Sequence, residues 1–351
     1  MRSSSAKVAL IAAAIVAALF GLRALTEHHG TGGVIHTGPN GSARQSLTVA
    51  FLPVTCHLAC PVTDFASHHS TTGTRFDSQR FTEFPPIADA LKSKNLMATF
   101  MIVPLAMRLR EQGVPVRICY LGHRDGSTVI VAKNDPAKSL RDMKGKTMAI
   151  PSIYSNQNFV IHKLMADQGM QPDDINFRVM APPDMPVALA THSIDGYFVG
   201  EPHAAKAELD GTGRVLYNAK DIWPGFISCA LVVHEDEIKN HPEVVRDLVN
   251  NIAASGEWAE THRSQAAKLV APYYRQNEKL VNYVLTQPGR VSYRQLTPTD
   301  ADLQKIEDMG LQMGILKKRI PMSELIDRQF IPEKITPAPI ADKDIPTPVA
   351  S

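Results

Sequence analysis

Residues 182–202, PPDMPVALATHSIDGYFVGEP, decide the fold class of this chain. Asp184 is suited to the N-cap of a short helix, because its carboxylate can accept hydrogen bonds from free backbone N–H groups of the first turn. Met185 and Leu189 then share one apolar face of that helix. A turn leads directly into a buried strand at Tyr197–Val199. This order is typical of an α/β sheet, in which ligands bind at the ends of the strands.

Strand and helix patterns alternate over most of the chain on both sides of this stretch. Such alternation predicts mostly parallel sheets covered by helices. From Pro242 to the early 300s the apolar residues recur at helical spacing. Apolar runs typical of buried strands lie at 46–53, 116–121, 127–132, 147–150 and 228–234.

The composition describes a chain that can bury a large core and carries little net charge. Its 351 residues correspond to roughly two domains. Hydrophobic residues make up 44% of the chain, and the formal net charge is +2. The basic residues are scattered, so nothing in the charge pattern favours a nucleic-acid partner.

The two ends of the chain differ from its centre. Positive charge at Arg2 and Lys7 precedes an apolar run, so residues 1–25 are predicted to be a signal peptide or a membrane anchor. Residues 26–46 are polar and predict a flexible tether. Residues 333–351 are rich in Pro and Ala and predict a disordered tail. We therefore expect a periplasmic or otherwise extracytoplasmic protein, either released or anchored to the inner membrane by its N-terminal segment.

Three blocks carry a family resemblance: Lys144–Pro151 (KGKTMAIP), residues 182–202, and Ile222–Glu237 (IWPGFISCALVVHEDE). In this order and spacing they resemble the periplasmic substrate-binding proteins of ABC importers for nitrate, sulfonate, taurine and bicarbonate. Thiamine-pyrimidine-binding proteins share that fold. The resemblance implies a two-lobed, type II α/β protein, in which each lobe is a mostly parallel sheet flanked by helices.

The resemblance also implies a division of the chain into lobes joined by two crossovers. Lobe 1 would comprise residues 47–132 and 232–332, and lobe 2 residues 133–231. The crossovers would lie near Val131–Pro136 and Ser228–Val233. The cleft between the lobes would close on a small molecule by hinge motion. The implied partners are that ligand and the permease and ATPase subunits of an importer, with no cofactor and no catalysis.

One wall of the expected cleft is the loop at residues 151–158, PSIYSNQN, which follows a strand and begins a helix. Free N–H groups and the helix dipole favour an anion at such a position. Ser155 can cap the helix and also stand beside a bound oxyanion. Similar proteins bind ligand at the position of Tyr154 and Gln157. These residues favour an anion of the nitrate or sulfonate type.

The opposite wall is the loop at residues 52–61, LPVTCHLACP, which makes Thr55, Cys56 and His57 candidates for ligand contact. Similar proteins place a ligand-contacting loop here, usually without paired cysteines. A local disulfide between Cys56 and Cys60 is one interpretation, since an oxidising compartment permits it. Two packed thiols are a second interpretation. A metal site built from Cys56, His57 and Cys60 is the third, although no second ligand pair is evident.

Three further residues follow strand ends. His123 and Arg124 lie in a predicted turn, and an arginine suits a carboxylate or sulfonate. Glu201 follows the strand at Tyr197–Val199, and its charge suits a cationic or hydrogen-bond-donating ligand better than nitrate. Metal binding, binding of a thiamine precursor and a sensory role therefore stay open as alternatives. A pyrimidine-synthase-like enzyme is disfavoured, because such enzymes depend on a dense cysteine run that this chain lacks.

Overall fold

A computed structural model describes residues 46–58, 67 and 69–341, together with the backbone of two short strands, β1 (His36–Thr37) and β2 (Ala43–Arg44). The predicted signal or anchor at residues 1–25 lies outside the described residues, as does Cys60. Among the helices that are described, none combines the length and the hydropathy needed to cross a membrane.

The first of two five-stranded sheets is mixed. Its fourth strand in spatial order runs antiparallel to both neighbours, whereas the other strand pairs in it are parallel. The order across the sheet is β4 (Arg75–Arg80), β3 (Ser46–Phe51), β5 (Ala98–Ile102), β13 (Cys229–His234) and β6 (Val116–Leu121).

The second sheet has the same character. Its fourth strand in spatial order pairs antiparallel with both neighbours, and the remaining pairs are parallel. The order across the sheet is β10 (Asn176–Val179), β9 (Thr147–Ile150), β11 (Gly196–Gly200), β8 (Ser127–Ala132) and β12 (Gly213–Asn218). A separate ribbon pairs β7 (Arg124–Asp125) with β14 (Val291–Ser292).

The chain passes between the sheets twice, and the first passage lies earlier than expected. It leaves the first sheet after β6 and enters the second at β8, so residues 122–126 form the connection. The sequence had placed residues 127–132 in lobe 1, whereas the strand at Ser127–Ala132 belongs to the second sheet. Asp125-Gly126 has the sequence of a hairpin turn, which predicts that the strands before and after it pair with each other. These strands, β6 and β8, instead lie in different sheets. The exact lobe boundaries stay a prediction.

The described helices cover both sheets. The helix α8 is the longest, and its Val245, Leu248 and Ile252 are buried in the core. The helices are α1 (Phe84–Lys92), α2 (Val103–Glu111), α3 (Asn156–Asp167), α4 (Met185–Ala190), α5 (His203–Leu209), α6 (Ala219–Ile222), α7 (Glu235–Asn240), α8 (Pro242–Thr261), α9 (Arg263–Tyr274), α10 (Glu278–Thr286), α11 (Asp300–Gln312) and α12 (Met322–Leu325).

The segment 182–202 folds as its pattern predicts, with one difference at its start. Met185 and Leu189 of α4 pack with Tyr197 and Val199 of β11 in one apolar cluster on the second sheet. Asp184 occupies the N-cap position of α4 but makes no side-chain cap hydrogen bond there. The apolar face, and not the cap, therefore holds this helix in place.

The start of the predicted disordered tail is ordered. Residues 333–341 are described, and the N–H of Ala338 donates to the carbonyl oxygen of Ala254 in α8 at 2.9 Å. Ala338 is also buried, and Ile340 packs against the core. The composition of this segment predicts disorder, but its alanine and isoleucine side chains supply apolar surface that packs on the core.

Candidate functional site

The ends of strands from both sheets enclose a small pocket in the cleft between them. Its cavity volume is about 10 Å³, roughly the space of one water molecule. The cleft in this structure is therefore closed. The pocket is lined by Val54, Cys56, Phe84, Ile102, Pro151, Gln157, Pro182, Val199, Gly200, Ser228 and Cys229.

Hydrogen bonds between the two walls hold the cleft closed. The N–H of Thr55 donates to the carbonyl oxygen of Glu201 at 2.7 Å. Nε2 of the buried His203 lies 3.1 Å from the carbonyl oxygen of Pro53, to which it donates. Burial lowers the pKa of His203 to about 4, so its imidazole is neutral at pH 7. This contact therefore joins the two walls through a buried histidine.

Gln157 is the polar centre of the pocket. Its Nε2 donates to the hydroxyl oxygen of Ser127 at 3.1 Å and to that of Ser228 at 3.2 Å. Its Oε1 is buried and has no hydrogen-bond partner among the described residues. The neighbouring Asn156 donates through Nδ2 to the carbonyl oxygen of Ile227 at 2.6 Å. The first turn of α3 thus contacts residues 219–228, which form the second passage between the sheets, from β12 to β13.

Ser155 caps α3 as its position predicts. Its hydroxyl oxygen accepts the N–H of Asn158 at 3.1 Å and donates to the carbonyl oxygen of Ser152 at 2.7 Å. Ser155 is fully buried but does not line the pocket. Tyr154 is half-buried and packs against the hydrophobic core. Of the residues predicted in this loop, only Gln157 faces the cavity, and ligand contact by Tyr154 and Ser155 stays a prediction.

Two cysteines meet on the opposite wall of the pocket. Sγ of Cys56 lies 2.9 Å from Sγ of Cys229, and both side chains are free thiols that are almost fully buried. Burial, together with the hydrogen bond to Cys229, raises the pKa of Cys56 well above its usual value. Burial also acts to raise the pKa of Cys229, but the hydrogen bond from Cys56 and the nearby His57 lower it to about 5. Cys229 is therefore the more acidic thiol of the pair.

The predicted pairing of Cys56 with Cys60 stays a prediction, because Cys60 lies outside the described residues. The same holds for the predicted metal site that used Cys60. In the described part of the chain, an imidazole nitrogen of His57 and the sulfurs of Cys56 and Cys229 lie within 4.8 Å of one another. Cys229 therefore joins Cys56 and His57 in a cluster of possible metal ligands.

His57 is held by the backbone and by aromatic rings. Its Nδ1 accepts the N–H of Leu52 at 2.7 Å, while its Nε2 has no hydrogen-bond partner among the described residues. Its ring centroid lies 5.4 Å from that of Phe100 and 6.3 Å from that of Phe84. His57 therefore stands behind the two sulfurs without lining the pocket itself.

His123, Arg124 and Thr55 lie beside the pocket and make structural contacts. Nε2 of His123 lies 2.9 Å from the hydroxyl oxygen of Thr55, and burial lowers the pKa of His123 to about 3. Arg124 binds Asp302 at 2.8 Å and the carbonyl oxygen of Gln295 at 2.8 Å. These three side chains do not line the cavity, and their role as ligand contacts stays a prediction.

Glu201 lies at the end of β11, but its charge is matched within the protein. Nε of Arg290 donates to its Oε1 at 2.7 Å, and the N–H of Ala205 donates to its Oε2 at 2.9 Å. Burial raises the pKa of Glu201, and the charge of Arg290 opposes that effect. Arg290 also binds Glu208. Gly200, and not Glu201, reaches the pocket wall.

Ser228, Cys229 and Arg290 are among the residues of this region that sequence reasoning missed. Ser228 and Cys229 follow the second passage between the sheets, so the rule that ligands lie at strand ends and crossovers could have found them. Arg290 has no such signal, because it is 89 residues away from Glu201 in the chain.

Comparisons with known proteins agree with this architecture. The sequence model of the NMT1-like family matches residues 40–273. The nitrate import ATP-binding protein NrtC of Synechocystis sp. is 25% identical over 245 residues, which are 64% of this chain and 37% of that protein. The taurine-binding periplasmic protein of Escherichia coli is 26% identical over 178 residues, or 50% of this chain and 54% of that protein. The chain thus spans between a third and little more than half of these relatives.

A solved structure shares the fold. The zinc-bound ligand binding component of an ABC-type import system from Staphylococcus aureus superimposes with a TM-score of 0.73 at 22% identity, covering 82% of this chain and 98% of that one. The expected two-lobed periplasmic-binding-protein fold is confirmed, with mixed sheets in place of mostly parallel ones. Because the family model matches well over half of its residues, the chain belongs to the NMT1-like family.

Proposed function

We propose that this protein is the extracytoplasmic solute-binding component of an ABC importer. It captures a small anion of the nitrate or sulfonate type between its lobes, and closure of the cleft encloses the ligand. The related import protein for nitrate and the related binding protein for taurine, a sulfonate, support this class of solute. Permease and ATPase subunits are the partners that such a role requires.

The observation that carries the proposal is the character of the pocket wall. Among the described residues that line the cavity, the polar side chains are those of Gln157, Ser228 and the two cysteines, and none is a carboxylate. Turning the Gln157 amide end for end would let the hydroxyls of Ser127 and Ser228 donate to Oε1. The NH₂ group would then point into the cavity as a donor. Rotation of this amide alone thus turns a donor toward an anion in the cleft.

The charge around the pocket supports the same conclusion. The nearby carboxylate of Glu201 is matched by Arg290 and by the N–H of Ala205. Gln157 lies in the first turn of α3, where the helix dipole favours negative charge. An anion therefore meets uncharged donors and a helix start, and no carboxylate side chain is among the described lining residues.

Metal capture is a second candidate function. The cluster of Cys56, His57 and Cys229 supports it, because thiolate and imidazole are the ligands that zinc prefers. The zinc-bound structure from Staphylococcus aureus has the same fold. We infer binding in either case and no catalysis, since the relatives compared here are import and binding proteins.

Calorimetric titration of the full chain with nitrate, taurine, an alkanesulfonate and Zn²⁺ tests the proposal. Saturation at 100 times Kd would also raise the unfolding free energy by about 2.7 kcal/mol. Gln157→Glu should weaken anion binding at least tenfold, because it adds a negative charge to the pocket wall. Gln171→Glu makes the same change at an exposed position and should leave the affinity unaltered. Stabilisation by Zn²⁺ alone would reject the anion and favour metal capture.

A further inference from the structure

We propose that Cys56 and Cys229 form a disulfide that ties the loop after β3 to the first residue of β13. Their sulfurs are 2.9 Å apart, and a disulfide bond is about 2.05 Å long. A movement of less than 1 Å, shared between two side chains, would therefore complete the bond (roughly the difference of those lengths). This modification goes beyond solute binding and does not depend on which solute is bound.

The backbone, and not only the choice of side-chain rotamers, brings the two cysteines together. The N–H of Gly122 donates to the carbonyl oxygen of Cys229 at 2.9 Å. A Cβ at Gly122 would lie 2.0 Å from the carbonyl oxygen of Cys56, which no side chain could tolerate. Both cysteine backbones thus pack against the same glycine.

Two buried tyrosines hold the Cys56 loop from its other side. The hydroxyl of Tyr293 donates to the carbonyl oxygen of Thr55 at 2.9 Å, and that of Tyr274 donates to the carbonyl oxygen of Val54 at 2.8 Å. The loop therefore cannot drift away from β13 without breaking buried hydrogen bonds. The 2.9 Å approach of the two sulfurs therefore involves a loop that is fixed by hydrogen bonds to buried tyrosines.

The state of His57 favours a disulfide over a metal ion. A neutral imidazole carries one proton, and Nδ1 accepts the N–H of Leu52, so the proton resides on Nε2. A metal ion at Nε2 would have to displace that proton. The proton could not move to Nδ1 without breaking the hydrogen bond from Leu52. Zinc also takes four ligands in structural sites, and the described cluster offers three. With Nδ1 accepting, Nε2 carries an N–H and presents no lone pair to a metal ion.

The oxidation needs a two-electron acceptor, and a low-molecular-weight disulfide of the glutathione type supplies it. The Cys229 thiolate attacks one sulfur of this oxidant, whose S–S bond breaks and releases one thiolate. This step leaves a mixed disulfide between Cys229 and one half of the oxidant. Cys56 then loses its proton, its sulfur attacks the Cys229 sulfur, and the second half of the oxidant leaves as a thiolate. Two protein thiols become one disulfide, and the oxidant becomes two thiols. Both sulfurs line the cleft pocket, so opening of the lobes gives the oxidant access.

Peptide mapping of the full chain tests the proposal. The protein is exported to an oxidising compartment, purified without reductant, denatured in excess alkylating agent and digested for mass spectrometry. We expect a linked peptide pair that contains Cys56 and Cys229, lighter by two hydrogens than the separate peptides, and an alkylated Cys119. The wild-type map needs no variant and so does not depend on any variant folding. Complete alkylation of both cysteines, or a link from Cys56 to Cys60, would overturn the proposal.

Two cysteine variants and a reoxidation experiment with Zn²⁺ distinguish the disulfide from a metal site. Cys229→Ser should abolish the linked pair, whereas Cys119→Ser, which removes another buried thiol, should retain it. The reduced protein is then treated with oxidised glutathione, with or without one equivalent of Zn²⁺. Recovery of the link without Zn²⁺ supports the disulfide. Failure to form it, with Zn²⁺ protecting both thiols from alkylation, would instead assign the cluster to a metal.

Discussion

Single residues at the cleft act through contacts that span large sequence distances. Gly122 supports the backbones of both Cys56 and Cys229, and His203 joins its own wall to Pro53 on the other. Neither residue lines the pocket. The shape of the site therefore depends on residues that a bound ligand would not contact: a glycine that lacks a side chain and a histidine behind the wall.

Gly122→Ala is expected to destabilise the protein by about 3 kcal/mol, the upper range for overpacking. The new Cβ would lie 2.0 Å from a backbone oxygen that two tyrosines indirectly hold in place. Gly256→Ala is the control, because its Cβ would meet nothing closer than 3.8 Å and its position is helical. The control should gain up to about 1 kcal/mol from helix propensity. Urea unfolding measures both, and equal stabilities of the two variants would contradict this account.

Stability is expected to fall on acidification between about pH 6.5 and pH 4. The pKa of His203 is lowered to about 4 by burial, with smaller effects of the charges of Arg80 and Lys206. In that interval the unfolded state binds the proton and the folded state does not, so unfolding is favoured as pH decreases. At about 1.4 kcal/mol per pKa unit, His203 contributes on the order of 3 kcal/mol. His123, with a pKa lowered to about 3, acts in the same direction.

His203→Gln should flatten part of this pH dependence, since glutamine can donate to Pro53 and does not titrate. The measurement is the urea midpoint at several pH values for both proteins. A parent protein whose stability is constant from pH 6.5 to pH 4 would show that the buried histidines are not neutral in the folded state.

Among the secondary-structure elements, the first turn of α3 carries both the cap that stabilises the helix and a side chain that lines the pocket. Ser155 caps the helix, Asn156 binds the carbonyl oxygen of Ile227, and Gln157 lines the cavity. The loop after β3 forms the facing wall and is fixed by Tyr274 and Tyr293. Both walls are thus held at strand or helix ends by hydrogen bonds to the rest of the fold.

Ser155→Ala is expected to cost about 1 kcal/mol of stability through loss of the cap. It should also weaken anion binding, because a frayed first turn displaces Gln157. Thr299→Ala is the matched control: Thr299 caps α11 in the same way, accepting the N–H of Asp302 at 3.1 Å, away from the pocket. Thermal unfolding and calorimetry measure the two effects. If both variants lost affinity equally, the cap would have no specific role at the site.

At the scale of the whole molecule, charges inside the protein join the C-terminal region to the second sheet. Arg290 precedes β14 and binds both Glu201 at the end of β11 and Glu208 in α5. Its guanidinium also stacks over the ring of Tyr283 at 5.4 Å. The ion pairs therefore join Arg290 to carboxylates that lie 89 and 82 residues earlier in the chain.

Arg290→Met is expected to destabilise the protein by about 3–5 kcal/mol, because it leaves the buried carboxylate of Glu201 without its partner. Arg294→Met is the control, since the Arg294 side chain is 63% exposed in its pair with Glu260 and exposed pairs contribute about 1 kcal/mol or less. Chemical unfolding compares the two. Recovery of stability on adding Glu201→Gln to Arg290→Met would support the uncompensated charge as the cause, and no recovery would argue against it.

The α/β class, the family and the local elements follow from the amino-acid sequence, because they depend on apolar periodicity and on short-range turn and cap chemistry. Residues 182–202 folded as their pattern predicts, Ser155 caps α3, and Gln157 faces the cavity. Only the tertiary structure decided which sheet holds Ser127–Ala132, since the hairpin-like Asp125-Gly126 connects different sheets. It also decided that Cys229 meets Cys56, and that Arg290 neutralises Glu201. These pairings join residues far apart in the chain, and contacts of that kind follow from packing and burial, which no local pattern encodes.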